Sequence, residues 1–245
     1  MEFSGIEKLS LVDYDNKLSC ILFFAGCNFR CPFCQNGGLV LKPIEQPIIP
    51  FEQILDYLKE RKNVLDAVVI SGGEPTLMPD LKEKIIKIKK LGYLVKLDTN
   101  GTHPEIVKDL YNNGLIDYVA MDIKNSEDKY SLTIRAENLH IEKIKETIDF
   151  LKRSGIGYEF RTTMMLEFHD MKSMEGIEKL IGNANKLFLQ KYIDSDNCIA
   201  HGFHAVPEEE AIKFRDYLRK FVKQVDLRGY WLWIKIIKIK LVANP

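Results

Sequence analysis

Hydrophobic positions along this chain of 245 residues keep two rhythms that alternate. Short, dense apolar runs are each followed by a segment whose apolar residues return every three or four positions. The first run, residues 18–25, is crowded with large side chains and stops at Gly26, which predicts a strand buried on both faces. Residues 39–50 carry Pro43, Pro47 and Pro50, too many prolines for a long helix, and predict an extended connection. Phe51, Ile54, Leu55 and Leu58 then share one helical face. The unit recurs, with strands predicted at 67–70, 93–97, 118–123, 158–163 and 186–192. Between them, helices are marked by Leu81, Ile85, Ile88 and Leu91 from Pro79 to Gly92, and by Ile106, Val107, Leu110 and Tyr111 from Pro104 to Gly114. Ile141, Ile144, Ile148 and Leu151 mark a third that ends at Gly155, and residues 174–181 a fourth. Pro207 opens a last helix, whose Glu208, Glu209 and Glu210 suit the positive end of a helix dipole.

Six strands alternating with helices predict parallel βα units joined by right-handed crossovers. A closed eight-unit barrel takes about 250 residues. Here the proline-rich insert and the tail use up length, so the expected fold class is α/β, a partial (β/α)6 barrel of TIM type with parallel strands. Residues 1–229 make up that domain. The end, 230–245, breaks the pattern: Trp231 to Val242 alternates like a strand but is strongly apolar. Two readings stand for it, an added edge strand guarded by lysines, or a non-native extension such as a changed reading frame produces.

Composition narrows the function. Lys plus Arg equals Asp plus Glu, 35 against 35, which argues against the broad positive surface that nucleic acid binding needs. Residues 1–8 are mixed polar with no apolar core of a signal peptide. No uncharged run of about 18 residues suggests a membrane span. A soluble, cytoplasmic, enzyme-sized domain is expected, with neither nucleic acid nor membrane as partner.

The five cysteines change the picture further, because Cys27, Cys31 and Cys34 fall in one short loop at spacing C-x3-C-x2-C. Cys20, inside the first strand, reads as a small core residue, and an intracellular-looking chain is not expected to hold a disulfide framework. Three thiolates this close repel one another, so a positive, thiophilic centre should sit between them, either zinc or an iron–sulfur cluster. Structural zinc and electron-carrying clusters normally take four protein ligands, so three leave one metal position open to a substrate or cosubstrate. Cys198, His201 and His204 offer further ligand types, but their spacing fits no common zinc pattern and a solvated loop is expected. Two cysteines outside the main loop cannot build an auxiliary four-thiolate cluster.

In parallel βα folds the reactive groups gather at the C-terminal ends of the strands. The second strand ends in Ser71-Gly72-Gly73-Glu74-Pro75, where the glycines let backbone approach a ligand and Glu74 suits a positive amine. The third ends in Asp98-Thr99-Asn100-Gly101 and the fourth in Asp122-Ile123-Lys124. Taken alone, these are also what ordinary βα turns and Asx turns look like. Arg161 offers a fork that suits a carboxylate, or a structural ion pair, and Gln190 is a candidate for the same pocket.

The run Gly26-Cys27-Asn28-Phe29-Arg30-Cys31-Pro32-Phe33-Cys34-Gln35-Asn36, with aromatic Phe33 before the last cysteine, resembles the radical S-adenosylmethionine enzymes. Among them it is most similar to the glycyl-radical-enzyme activases, in particular the anaerobic ribonucleoside-triphosphate reductase activating proteins. Residues 5–14 also resemble that group, and the likeness covers about residues 5–229. It implies that Cys27, Cys31 and Cys34 hold a [4Fe–4S] cluster whose open iron takes the methionine amino and carboxylate groups of S-adenosylmethionine. Gly72, Gly73 and Glu74 would hold the amino group beside Phe33. Elements similar to the Asp98–Asn100 and Asp122–Lys124 stretches line the cosubstrate site of pyruvate formate-lyase activating enzymes. There the aspartates help to hold a monovalent cation, a role implied for Asp98, Thr99 and Asp122. Arg161, by the fit of its fork, would meet the methionine carboxylate, and Gln190 is a candidate for the same pocket. The implied reaction is reductive cleavage of S-adenosylmethionine, with hydrogen abstraction from a substrate by the 5′-deoxyadenosyl radical. A flavodoxin or ferredoxin would supply the electron. A minimal barrel with an uncovered lateral opening suits a glycyl radical enzyme that inserts a glycine-bearing loop. The runner-up is a small-molecule radical enzyme such as a 7-deazapurine synthase, and the reading of another class is a zinc or electron-carrier binding module.

Overall fold

The computed structural model describes residues 2–136 and 138–230, and the Trp231–Val242 stretch lies outside the described residues. β1 (Gly5–Ser10) lies antiparallel to β2 (Ser19–Phe24), and from β2 onward each strand is parallel to the next. The series continues through β3 (Ala67–Gly72), β4 (Leu94–Thr99), β5 (Tyr118–Asp122), β6 (Gly157–Met164), β7 (Lys186–Lys191) and β8 (Gln224–Arg228). The strands lie in chain order across one sheet, so β1 and β8 are its two ends and the barrel stays open between them.

The six βα units run from β2 to β7, as the apolar rhythm predicts. α2 (Phe51–Glu60), α3 (Leu81–Lys90), α4 (Pro104–Asn112), α6 (Ile141–Ser154), α7 (Met171–Ile181) and α8 (Glu208–Leu218) all coincide with predicted helices. In α6 the predicted stripe is the buried one: Ile144, Ile148 and Leu151 are shut away from water. Each such side chain contributes roughly 1.5–3 kcal/mol relative to exposure. Gly155 ends that helix in the left-handed region at φ +81°, where a side chain would be strained.

Elsewhere the structure adds to the expectation. Residues 39–50 are not wholly extended, for α1 (Gly37–Leu41) precedes Pro43 and a 3-10 turn spans Pro43–Glu45. The prolines bar a long helix but allow one turn before the first of them and another that starts on it. α5 (Glu127–Ile134) stands between β5 and α6. The lateral opening is bridged at its lower end by the β1–β2 loop. Lys96 Nζ donates to the Asp13 carbonyl at 2.6 Å, and Asp15 pairs with Lys186 and, at 3.5 Å, with Arg228. Lys96 also meets Glu159 at 3.2 Å, both fully buried, so neither charge is left unpaired. No helix among the described residues is long and apolar enough to cross a membrane.

Candidate active site

β2 delivers the cysteine loop at its C-terminal end, and backbone bonds from three directions hold it. The Glu74 N–H donates to the Gly26 carbonyl at 2.8 Å, and the Arg30 N–H to Ile134 at 2.9 Å. Ile199 and Ala200, in the β7–α8 loop, donate to the Cys34 and Pro32 carbonyls at 3.1 and 2.8 Å. The Gly72-Gly73 pair has a concrete reason here: a Cβ on Gly73 would lie 1.9 Å from the Gly26 carbonyl oxygen, and one on Gly72 2.4 Å from Phe24 backbone. Only glycine lets the second strand's turn come this close to the cysteine loop.

Above the strand ends lies a cleft of about 320 Å³, within the usual range for small-molecule sites. Cys27, Phe33, Cys31 and Cys34 line one wall. Gly72, Gly73, Asp98, Thr99 and Asn100 line the floor, and Asp122, Lys124, Arg161 and Gln190 the far side. Strand register explains the company, since Asp122 pairs with Arg161 and Thr163 with Gln190 across neighbouring strands. The structure thus gathers every sequence-predicted site residue but one. Glu74 is buried beneath the floor, with Oε1 accepting from the Thr76 N–H (3.1 Å), Thr76 Oγ1 (2.5 Å) and Thr99 Oγ1 (2.7 Å). Its Oε2 accepts from the Asn100 N–H at 2.6 Å, so the carboxylate ties the β3 and β4 turns together and does not reach the cleft. Burial pushes the Glu74 pKa up, and these hydrogen bonds pull against it.

Charge in the cleft is strongly organised. Arg161 bridges two carboxylates, Nη1 to Asp98 Oδ2 at 3.2 Å and Nε to Asp122 Oδ1 at 3.0 Å. Lys124 Nζ holds Asp122 Oδ2 at 2.7 Å. Although burial disfavours its charge, Asp122 is held down to about 2 by Lys124 and Arg161, and those same carboxylates raise the pKa of both cations. Asp98 Oδ2 also accepts from Ser71 Oγ at 3.0 Å, while Asp98 Oδ1 is buried with no hydrogen-bond partner among the described residues. A buried carboxylate oxygen without a donor costs free energy, about 1–3 kcal/mol or more, which makes Asp98 a strained point at the edge of the cleft.

Burial dominates at the three thiols, pushing Cys27 up to about 12, Cys31 up to about 11 and Cys34 upward as well. The Lys124 ammonium opposes that rise at all three, so one fixed positive charge faces the whole set. No disulfide ties any of them. Cys198 is turned away toward the Tyr192 and Ser195 hydroxyls, each at 3.7 Å, and Cys20 is in the core. The cleft therefore presents three thiols and no fourth. Among the described residues, no three His, Cys, Asp or Glu side chains are drawn together around a single ion. His201 and His204 stand exposed against Asp194 and Glu167, as a solvated loop predicts, whereas Cys198 at the start of that loop is buried. Three unlinked thiols, a cation near all of them and a set of charged side chains lining the same cleft fit a three-thiolate cluster with a polar cosubstrate beside it.

Sequence reasoning passed over several lining groups. Ser71 and Thr163 stand at the C-terminal ends of β3 and β6, Thr163 two positions beyond Arg161, a signal that period-two alternation carries. Asn36 lies inside the cysteine motif, and its Nδ2 donates to the Gly72 carbonyl at 3.0 Å. His169, fully buried behind Lys124, had no local signal.

The radical SAM superfamily model matches residues 21–181. A protein of Methanocaldococcus jannaschii, assigned by inference as a glycyl-radical enzyme activating enzyme, is 36% identical over 235 residues, covering 92% of this chain and 95% of that protein. Among solved structures, a domain of pyruvate-formate lyase-activating enzyme from Bacteroides vulgatus has a TM-score of 0.54 at 18% identity, covering 66% of this chain and 99% of the other. Streptococcus suis SuiB bound to S-adenosylmethionine has a TM-score of 0.66 at 15% identity, covering 87% of this chain and 52% of SuiB. At these identities the structural likeness is one of fold: a partial barrel of parallel strands. The match over most of the chain makes the protein an enzyme rather than a zinc or electron-carrier module. Its family carries a [4Fe–4S] cluster and S-adenosylmethionine, and the chain belongs to the radical SAM superfamily, where it is like the glycyl-radical-enzyme activating enzymes.

Proposed function

We propose that this enzyme reductively cleaves S-adenosylmethionine in the cleft and generates a glycyl radical on a partner protein, an anaerobic ribonucleoside-triphosphate reductase. One observation carries the site assignment: Cys27, Cys31, Cys34, Lys124 and Asp98 line the same small volume. When bound there, the cluster and S-adenosylmethionine supply one-electron chemistry and a carbon-centred radical. Cys27, Cys31 and Cys34 bind the cluster, with Lys124 offsetting part of the thiolates' negative charge. Gly72 and Gly73 let the cosubstrate approach backbone, and Asp98 borders its polar end. Arg161, Gln190 and Phe33 border the rest of its pocket. The monovalent cation belongs to the same proposal, at Asp98, Thr99 and Asp122; it must share these carboxylates with Arg161 and Lys124, which already neutralise them. Glu74 serves by fixing the two turns that form the floor.

The partner assignment draws on the likeness to the Methanocaldococcus jannaschii protein and on the resemblance of residues 26–36 and 5–14 to the ribonucleotide reductase activating proteins. A flavodoxin or ferredoxin supplies the electron, and the enzyme works in the cytoplasm. The test mixes reconstituted enzyme, S-adenosylmethionine and reductant with an anaerobic ribonucleotide reductase and looks for the doublet electron paramagnetic resonance signal of a glycyl radical. That signal is expected. Steady deoxyadenosine release with no radical on the partner, and turnover of a free purine precursor instead, would move the assignment to a small-molecule radical enzyme.

A further inference from the structure

Asn28, between the first cysteine and Phe29, is absent from the cleft lining, and with Thr102 it borders a separate pocket of about 150 Å³ on the other side of the loop. Its amide closes a ring of side-chain hydrogen bonds. Asn100 Nδ2 donates to Asn28 Oδ1 at 2.7 Å, Asn28 Nδ2 donates to Thr102 Oγ1 at 2.9 Å, and Thr102 Oγ1 donates to Asn100 Oδ1 at 2.7 Å. Each group in the ring donates once and accepts once, so the two amides and the hydroxyl fix one another's orientation. Asn100 and Thr102 are buried, and the ring is anchored from below by the Asn100 N–H on Glu74 Oε2 at 2.6 Å. A continuous set of bonds therefore runs from the β3 turn, through the β4 turn, to the residue next to Cys27. At the same cysteine, the Phe29 N–H donates to Cys27 Sγ at 3.3 Å, and Asn28 Oδ1 lies 4.0 Å from that sulfur.

We propose that Asn28 is a positioning residue that, through its ring with Asn100 and Thr102, aims the Cys27 thiol into the cleft and sets how firmly the cysteine loop retains what it binds. This rests on the reading that the three thiols hold an iron–sulfur cluster. Asn28 itself is exposed, so the ring's effect is one of direction more than of buried energy. Groups that orient metal ligands commonly change metal affinity by 10- to 100-fold when removed, and a loosened Cys27 should behave the same way.

The experiment measures the rate at which anaerobically reconstituted protein gives up iron to excess chelator, alongside the cluster's electron paramagnetic resonance line shape. Asn28→Ala and Thr102→Val should each lose iron about 10- to 100-fold faster than the parent, with a broadened spectrum. The double variant should be no faster than the faster single, because the ring is already broken. Ile148→Val, a buried change in a distant helix, is the control for general loosening and should keep the parent rate. Parent-like rates in both single variants overturn the proposal, as does a double variant whose effect is the product of the two, or an Ile148→Val protein that loses iron as fast as Asn28→Ala. If Asn28→Ala does not fold, Thr102→Val decides alone. A parent chain that takes up no cluster overturns the underlying reading instead, which keeps the two failures apart.

Discussion

Lowering the pH should loosen this fold through one side chain, His169. The ring is 2% exposed and sits just past β6. Nδ1 accepts from the Met165 N–H at 3.1 Å, which requires that nitrogen to be unprotonated, so Nε2 carries the proton and donates to the Lys124 carbonyl at 3.0 Å. The ring thereby braces the strand end that sends Lys124 into the cleft. Burial pulls its pKa from 6.5 down to about 4. The unfolded chain takes up this proton near 6.5 and the native state only near 4, so the unfolded state binds more protons between the two. The stabilisation is complete above the higher value and is lost as the pH falls toward the lower one. The whole window is worth about 3 kcal/mol, and about 2 kcal/mol of it falls between pH 7 and pH 5. Urea unfolding of the cluster-free chain at those two pH values, beside His169→Gln, isolates the effect, because the other four histidines are common to both proteins. The variant should be about 1–3 kcal/mol less stable at pH 7, from its broken bonds, yet lose about 2 kcal/mol less than the parent on going to pH 5. Equal pH dependence in parent and variant would refute a neutral, buried His169.

Three further outcomes follow from the geometry. Gly73→Ala places a methyl 1.9 Å from the Gly26 carbonyl and should cost about 1–3 kcal/mol in urea unfolding while lowering iron uptake; unchanged stability and uptake would mean that the two turns are not in contact. Asp98→Asn should weaken S-adenosylmethionine binding by about 1.5–3 kcal/mol, roughly 10- to 150-fold, measured by calorimetry on reconstituted protein. Parent-like affinity would show that the Asp98 carboxylate does not border the cosubstrate. Ending the chain after Tyr230 should leave iron content and deoxyadenosine release intact, whereas loss of soluble folded protein would give the apolar tail a structural role.

Six of the seven parallel strands were legible because a strand buried on both faces must read as an apolar run; β8 was not predicted, its Gln224-Val225-Asp226-Leu227-Arg228 alternating with charges. β7 is predicted at 186–192 and spans Lys186–Lys191. β1 was not, since Ile6 and Leu9 are three apart and most of the strand is exposed or half-buried at the sheet's edge. α5 has only eight residues, of which Tyr130, Thr133 and Ile134 are buried, too few for a period to emerge. The cysteine loop and the strand-end motifs could be read locally, as spacing and glycine content are local properties. Glu74 shows where that stops: its direction is fixed by Thr99 and Asn100, 25 and 26 residues away, which no local pattern encodes. The bridge from Asp15 to Lys186 across the open side of the barrel spans 171 residues and is equally silent in the sequence.

The most direct measurement counts the 5′-deoxyadenosine released from S-adenosylmethionine under dithionite by the anaerobically reconstituted chain and by Cys27→Ala, Cys31→Ala and Cys34→Ala. Three thiols and no fourth in the cleft predict release by the parent and none by any of the three variants. Sustained release by even one variant would contradict a cluster held by these three sulfurs.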